Sequence, residues 1–272
     1  MKKKNLILIS SLFLILQSCS DKKTELILLG TVHQPIENFN SDSLYNILVR
    51  IEPNLILFEV DSSFFTPEFQ FNKTWNSNEN IATVKYMNNY KLDVRPYEFT
   101  GRNEYRIKIG SRPTDSKASK LLDSLYRNNQ LDSLNFKIYQ KFLQINDSLN
   151  SYAYLGARAF NDPETDRIAK IRQEFQYKKL LNIMAEYPIF SNTYYYMNRN
   201  DSISYYEGYK KASEFWDIRN HTMAKNILHF VREYNGSRIV VLNGYFHRYY
   251  LNLLLEPEQE KNEFIIKSFY EY

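Results

Sequence analysis

Apolar residues along this chain follow two rhythms, short unbroken runs and spacings of three or four, and their order predicts most of the architecture. Residues 26–29 form a compact apolar run ending in Gly30 and read as a buried strand. Over residues 41–51, Leu44, Ile47, Leu48 and Ile51 recur at helical spacing, with Ser41 or Asp42 available as a cap and Pro53 as a stop. A second buried strand is expected over 55–59. Because a helix joins them, the two strands should run parallel through a right-handed crossover. A short helix over 81–89 and a third strand over 92–97, closed by Pro96, continue the rhythm.

From about residue 105 to 212 the pattern changes to long, charged, helix-prone stretches, with apolar groups such as Leu121, Leu122 and Leu125, then Ile168, Ile171 and Phe175. Strand-and-helix alternation then returns: an amphipathic helix over 214–234, a β-branched strand over 238–242, a helix over 249–255 and an edge strand over 264–269. The expected fold is α/β, with a mixed, largely parallel sheet built from both ends of the chain and a large helical insertion in the middle. Asp-Ser-Leu recurs at Asp42, Asp123, Asp132 and Asp147 without a fixed period, so no repeat is inferred.

The N-terminus has a different logic. Basic residues at 2–4 precede an apolar run over 6–16, which is the order of a signal peptide. That run is shorter than the roughly 20 residues needed to span a bilayer as a helix. Leu16-Gln17-Ser18-Cys19 fits a lipobox, so Cys19 is expected to carry a lipid that holds the protein on a membrane, each buried methylene contributing about 0.8 kcal/mol. The organisation is then a signal peptide over 1–18, a lipidated Cys19 and tether over 19–25, and one α/β domain over 26–272. The expected location is the bacterial cell envelope.

Composition narrows the function classes. Cys19 is the only cysteine, so no disulfide is available. Losing Lys2, Lys3 and Lys4 takes the formal charge from +4 to +1, which leaves no nucleic-acid footprint. The 23 tyrosines fit a codon bias more economically than an aromatic binding surface.

Two histidines share a local design. Gly30-Thr31-Val32-His33 follows the first strand and Gly244-Tyr245-Phe246-His247 follows the late one, each at a strand's C-terminal end. In open parallel sheets that edge is where ligands bind. Phe58-Glu59-Val60-Asp61 brings carboxylates to the same edge. Two imidazoles and a carboxylate would hold a first-row metal that acidifies water and polarises a carbonyl. Without metal, His33 or His247 would serve as a general base oriented by Glu59 or Asp61. His221 and His229 carry no zinc-protease signature and are expected to be structural, and neither a phosphate-binding glycine loop nor a Gly-x-Ser-x-Gly motif is present.

These motifs in this order, together with Arg219-Asn220 and Met223-Ala224, resemble the TraB/PrgY/GumN/Tiki superfamily, related in fold to erythromycin esterases and to the haem-binding lipoprotein ChaN. The resemblance covers about 30–100 and 213–256 and does not reach the helical middle. It implies a metal-dependent hydrolase using manganese or cobalt, with zinc a further possibility, and with His33, Glu59 and His247 at the site. Arg219 would pair with a carboxylate or an anionic substrate group, beside Asn220. Arg95 and Glu98, after the third strand, would support the site. The second motif departs from many relatives by placing Tyr245 and Phe246 where they have small residues, which narrows the site.

The expected function is a membrane-anchored hydrolase of peptide or ester bonds acting on a peptide or small molecule. The alternative is a non-catalytic lipoprotein that holds haem or iron, with tyrosines of the helical middle as ligands.

Overall fold

The computed structural model describes residues 22–272. The segment expected to be a signal peptide, 1–18, and Cys19 lie outside these residues.

The chain opens with β1 (Thr24–Thr31), α1 (Ser41–Ile51), β2 (Leu55–Phe58), α2 (Asn78–Met87) and β3 (Asp93–Pro96). The middle holds α3 (Arg102–Lys108), α4 (Thr114–Arg127), α5 (Ser133–Tyr154), α6 (Ala157–Phe160), α7 (Pro163–Glu174), α8 (Leu180–Glu186) and α9 (Pro188–Asn192). A π turn (Phe175–Lys179) joins α7 to α8, and β4 (Tyr194–Asn198) with β5 (Asp201–Ser204) forms an antiparallel hairpin. The return leg is α10 (Tyr205–Glu233), β6 (Arg238–Gly244), α11 (Tyr245–Leu255) and β7 (Phe264–Ile266).

Five strands form one parallel sheet in the order β3-β2-β6-β1-β7. The first two strands are parallel, as the crossover argument requires, but β6 from the far end of the chain lies between them. The α/β class, the parallel sheet assembled from both termini and the helical middle are as the sequence predicts.

Alternation along the strands sorts the core into two layers. Ile27, Leu29, Ile56, Phe58, Val240 and Leu242 pack on one face with α1 and α2. Leu26, Leu28, Leu55, Leu57, Ile239 and Val241 pack on the other with Met223, Ala224, Ile227 and Val231 of α10. Burial on both faces explains why these strands read as continuous apolar runs. The insertion has a third core of its own, with Leu122, Leu180, Met184, Phe190 and Tyr209.

The 29-residue α10 joins the cores. At 1.5 Å per residue it is about 43 Å long, enough to pack Tyr209 in the insertion and Val231 under the sheet. The junction falls at Trp216, Arg219 and Asn220.

Boundaries differ where local chemistry overrides periodicity. Asn40, rather than Ser41 or Asp42, caps α1 by accepting from Ser43 N, and Glu52 in the left-handed region ends it before Pro53 acts. Ser77 caps α2 and so starts that helix three residues earlier than its apolar pattern does. The aromatic stretch after Gly244 is helical from Tyr245, not from residue 249, so His247 lies in a first helical turn and not in a loop. The expected strand over 264–269 stops at Ile266, and the hairpin β4–β5 interrupts a region expected to be helical throughout.

Candidate active site

The C-terminal edge of the sheet gathers His33 after β1, Glu59 after β2, Glu98 after β3 and Gly244 at the end of β6. Two cavities of about 280 and 310 Å³ share Thr31, His33, Glu59 and Gly244 as a common wall. The first is bounded by Trp75, Asn76 and Glu79, the second by Arg102, Trp216, Arg219 and His247.

Arg219 is the hub of the second. It donates Nη2 to Glu59 Oε1 at 2.6 Å, Nε to Glu98 Oε1 at 2.9 Å, and Nη2 also to Glu98 Oε2. Its Nη1 donates to His247 Nε2 at 2.7 Å. Of the five N–H groups of a guanidinium, these contacts leave one Nη1 hydrogen without an acceptor among the described residues. Burial opposes the Arg219 charge, but Glu59 and Glu98 outweigh it and raise its pKa.

Because Arg219 only donates, His247 Nε2 must present a lone pair and Nδ1 must carry the hydrogen, which goes to Asn220 Oδ1 at 2.7 Å. Burial, followed by the positive charge of Arg219, holds His247 well below the usual histidine pKa. Glu59 is held on its other oxygen by the N–H of Gly244 at 2.7 Å. Burial pushes its carboxyl up, against the opposing pull of Arg219.

His33 is arranged differently. Its Nδ1 meets Glu79 Oε1 at 2.9 Å, and the Thr31 hydroxyl donates to the same oxygen at 2.5 Å. Burial would raise the Glu79 carboxyl, but His33 and Thr31 outweigh it and hold it low. The hydrogen bond to Glu79 in turn raises the pKa of His33. With Nδ1 so engaged, Nε2 faces the shared wall, 3.8 Å from where a Cβ on Gly244 would lie, and Glu59 Oε2 is equally close to that point. The end of β1 is itself clamped by Asn161, which accepts from Gly30 N at 2.7 Å and donates to Gly30 O at 3.0 Å. A side chain on Gly30 would press on Asn161 and Tyr245 at 3.1 Å, so the clamp needs glycine for its close approach.

The edge therefore brings together His33, Glu59, His247, Glu98, Arg219 and Asn220. Asp61 lies beside it, capping a short turn and accepting from Gly101 N, which with Ser63 N outweighs burial and lowers its pKa. Arg95 does not join: it stacks over Phe69 at 4.0 Å and donates to Val94 O, because the alternation of β3 turns it away from Glu98. The expected orienting carboxylate for a histidine base, Glu59 or Asp61, is instead Glu79. That residue sits in a polar stretch without periodicity, and its one sequence signal is the Ser77 cap that fixes the start of α2. Arg102, which pairs with Glu98 at 3.0 Å, was likewise not singled out by the sequence.

Two of the three side chains expected to bind a divalent metal are engaged otherwise, and His33 keeps Nε2 open to the cleft. Arg219 takes the His247 lone pair and one Glu59 oxygen, and Gly244 N–H takes the other. The donor set fits a guanidinium at its centre and does not fit a cation beside it.

No family model, curated protein or solved structure matches the chain. The chemistry of this edge thus carries the functional argument.

Proposed function

We propose that the chain hydrolyses ester or peptide bonds by acid–base chemistry at the sheet edge, with His33 as general base. The observation that carries this reading is the His33–Glu79 pair, which orients the imidazole so that Nε2 faces the cleft. In the proposed step, water gives a proton to His33 Nε2 and its oxygen attacks the carbonyl carbon. The developing oxyanion is stabilised by the remaining Nη1 hydrogen of Arg219, and the proton on His33 passes to the departing alcohol or amine. Neutral His247 and the two glutamates hold Arg219 in place.

The reading includes membership of the TraB/PrgY/GumN/Tiki superfamily, supported by motif order, and anchorage to the envelope through Cys19, supported by the lipobox. It departs from the metal-dependent version because Arg219 occupies the donors that a metal would need.

The test is turnover of a panel of p-nitrophenyl esters and dipeptide p-nitroanilides by the purified protein, with and without EDTA and with added manganese, cobalt or zinc. Expected is hydrolysis of at least one substrate, insensitive to EDTA, and a drop of about 10²–10⁴-fold in His33→Ala. No turnover across the panel counts for a ligand-binding lipoprotein instead. A strict metal requirement would overturn the metal-free step.

A further inference from the structure

A third cavity, of about 270 Å³, lies between α7, the π turn, α10 and α11, and Trp216 is a wall of both this cavity and the His247 cleft. Its lining is aromatic: Tyr177, Trp216, Tyr249 and Tyr250. Tyr177 stacks on Trp216 with centroids 5.5 Å apart and 29° between planes, and Trp216 stacks on His247 at 4.4 Å and 22°. Such rings suit a surface that is apolar at one end and wet at the other.

The helix widens at this wall. Over Phe175–Lys179 the backbone makes a π turn, closed by Leu180 N–H on Phe175 O, which sets Tyr177 and Lys178 on the cavity. π turns are rare and gather at functional sites. This one is matched by donors from α10: Tyr209 Oη reaches Gln176 O at 2.7 Å, and Ser213 Oγ reaches Tyr177 O at 3.0 Å. A neighbouring helix supplying side chains for both carbonyls marks the irregularity as part of the fold.

Charge selects among ligand classes. Lys170 and Lys178 stand against Glu174 and Asp217 around the cavity, so neither sign prevails. An anion or a cation gains little from such a rim. A flat aromatic ligand would stack but leave the rim's donors and acceptors unused. A sugar ring satisfies both parts, packing its C–H face on the aromatic wall while its hydroxyls reach the rim.

We propose that this cavity is a binding site for a neutral pyranose ring. Its volume of about 270 Å³ lies just below the range of drug-sized ligand sites, which run from about 300 to 1,000 Å³, and so fits one ring rather than a chain. Tyr177 and His247 cover the two faces of Trp216, so an occupant packs on the tyrosines and meets Trp216 at its edge, one ring away from the cleft. Binding is read without turnover, so this inference and the hydrolase reading stand or fall separately.

The chain has two tryptophans, Trp75 and Trp216, so Trp75→Phe leaves Trp216 as the sole indole reporter. The protein is titrated with methyl β-glucoside, methyl β-galactoside and N-acetylglucosamine while Trp216 emission is followed. At least one sugar should give a saturable change with a millimolar midpoint. Leu253→Arg, at a rim residue 54% exposed, should weaken it at least tenfold with the melting temperature unchanged. Tyr177→Phe, which keeps the ring, should bind as before, and Tyr177→Ala should not. The proposal is overturned by no saturable change up to tens of millimolar, by an equal response in Leu253→Arg, or by benzoate or benzylamine binding more tightly than every sugar.

Discussion

Arg219 donates to Nε2 of His247 across 2.7 Å, and that contact fixes a buried imidazole as neutral with its hydrogen on Nδ1. Asn220 completes the arrangement at Nδ1 and is itself held by donating to Trp216 O at 2.7 Å. The two Gly-x-x-His motifs, alike in sequence, therefore yield unlike groups. His247 is a buried acceptor that steadies an arginine, and His33 is a carboxylate-oriented imidazole with 65% of its side chain exposed.

The difference predicts opposite titrations. His33 should titrate above 6.5, and the NMR signals of His247 should stay unshifted as pH falls through 6.5. For His247 the unfolded chain takes a proton near 6.5 and the folded chain does not, so its contribution to stability is full above 6.5 and falls as pH drops below it. For His33 the sign reverses: its contribution is full below 6.5 and is lost as pH rises through its raised folded value, and exposure keeps it small. A His247 signal moving together with that of His33 would contradict the assigned tautomer.

Arg219→Met should cost about 3–5 kcal/mol in urea unfolding, because it leaves Glu59 buried without a counter-charge and two close carboxylates with Arg102 alone, on Glu98. Adding Glu98→Gln should recover part of that loss, since one of the stranded charges is then gone. A double variant as unstable as the sum of the singles would show that Arg219 and Glu98 act independently.

Much of the frame was legible because parallel strands buried on both faces must be apolar throughout, and 26–29 and 55–58 are. The edge was legible too, since Gly30 lies one residue before the end of β1, Gly244 ends β6, and each precedes a histidine by three. What escaped was set by contacts between distant segments. Glu79 orients His33 from a stretch with no apolar period, and Arg95 is lost to the site because strand alternation, invisible in four residues, turns it toward Phe69. The π turn at Phe175–Lys179 leaves no mark in spacing, as its carbonyl partners Tyr209 and Ser213 come from another helix.

Glu79→Gln removes the carboxylate that raises His33. The His33 midpoint should move down towards 6.5, and the acid limb of kcat/KM for any ester turned over should move with it. An acid limb unmoved while the NMR midpoint shifts would remove His33 from the role of base.

Two glycines should respond differently to alanine. A Cβ at Gly208 would press into Thr114 where α10 crosses α4, closer than real contacts allow, so Gly208→Ala should destabilise by about 1–3 kcal/mol. At Gly244 the nearest atoms are 3.8 Å away and φ is −55°, so Gly244→Ala should fold normally while narrowing the cleft beside His33. Equal melting temperatures for the two variants would refute this packing account.

The direction of β1 bears on the proposed anchor. The strand begins at Thr24, hydrogen-bonded to the loop before β6, whereas His33 follows its opposite end, about 25 Å away at 3.3 Å per residue. From Cys19 to Thr24 a fully extended chain covers at most about 18 Å. A domain tethered there should hold its N-terminal sheet edge near the bilayer and open its cleft away from it, towards soluble or wall-bound substrates rather than lipids. Single cysteines labelled with a fluorophore in the lipidated protein test this: Asn235→Cys, near Thr24, should be strongly quenched by a lipid-borne quencher, and Asn76→Cys, on the cleft, weakly. The reverse order would turn the cleft towards the membrane, and absence of lipid on the protein would remove the anchor itself.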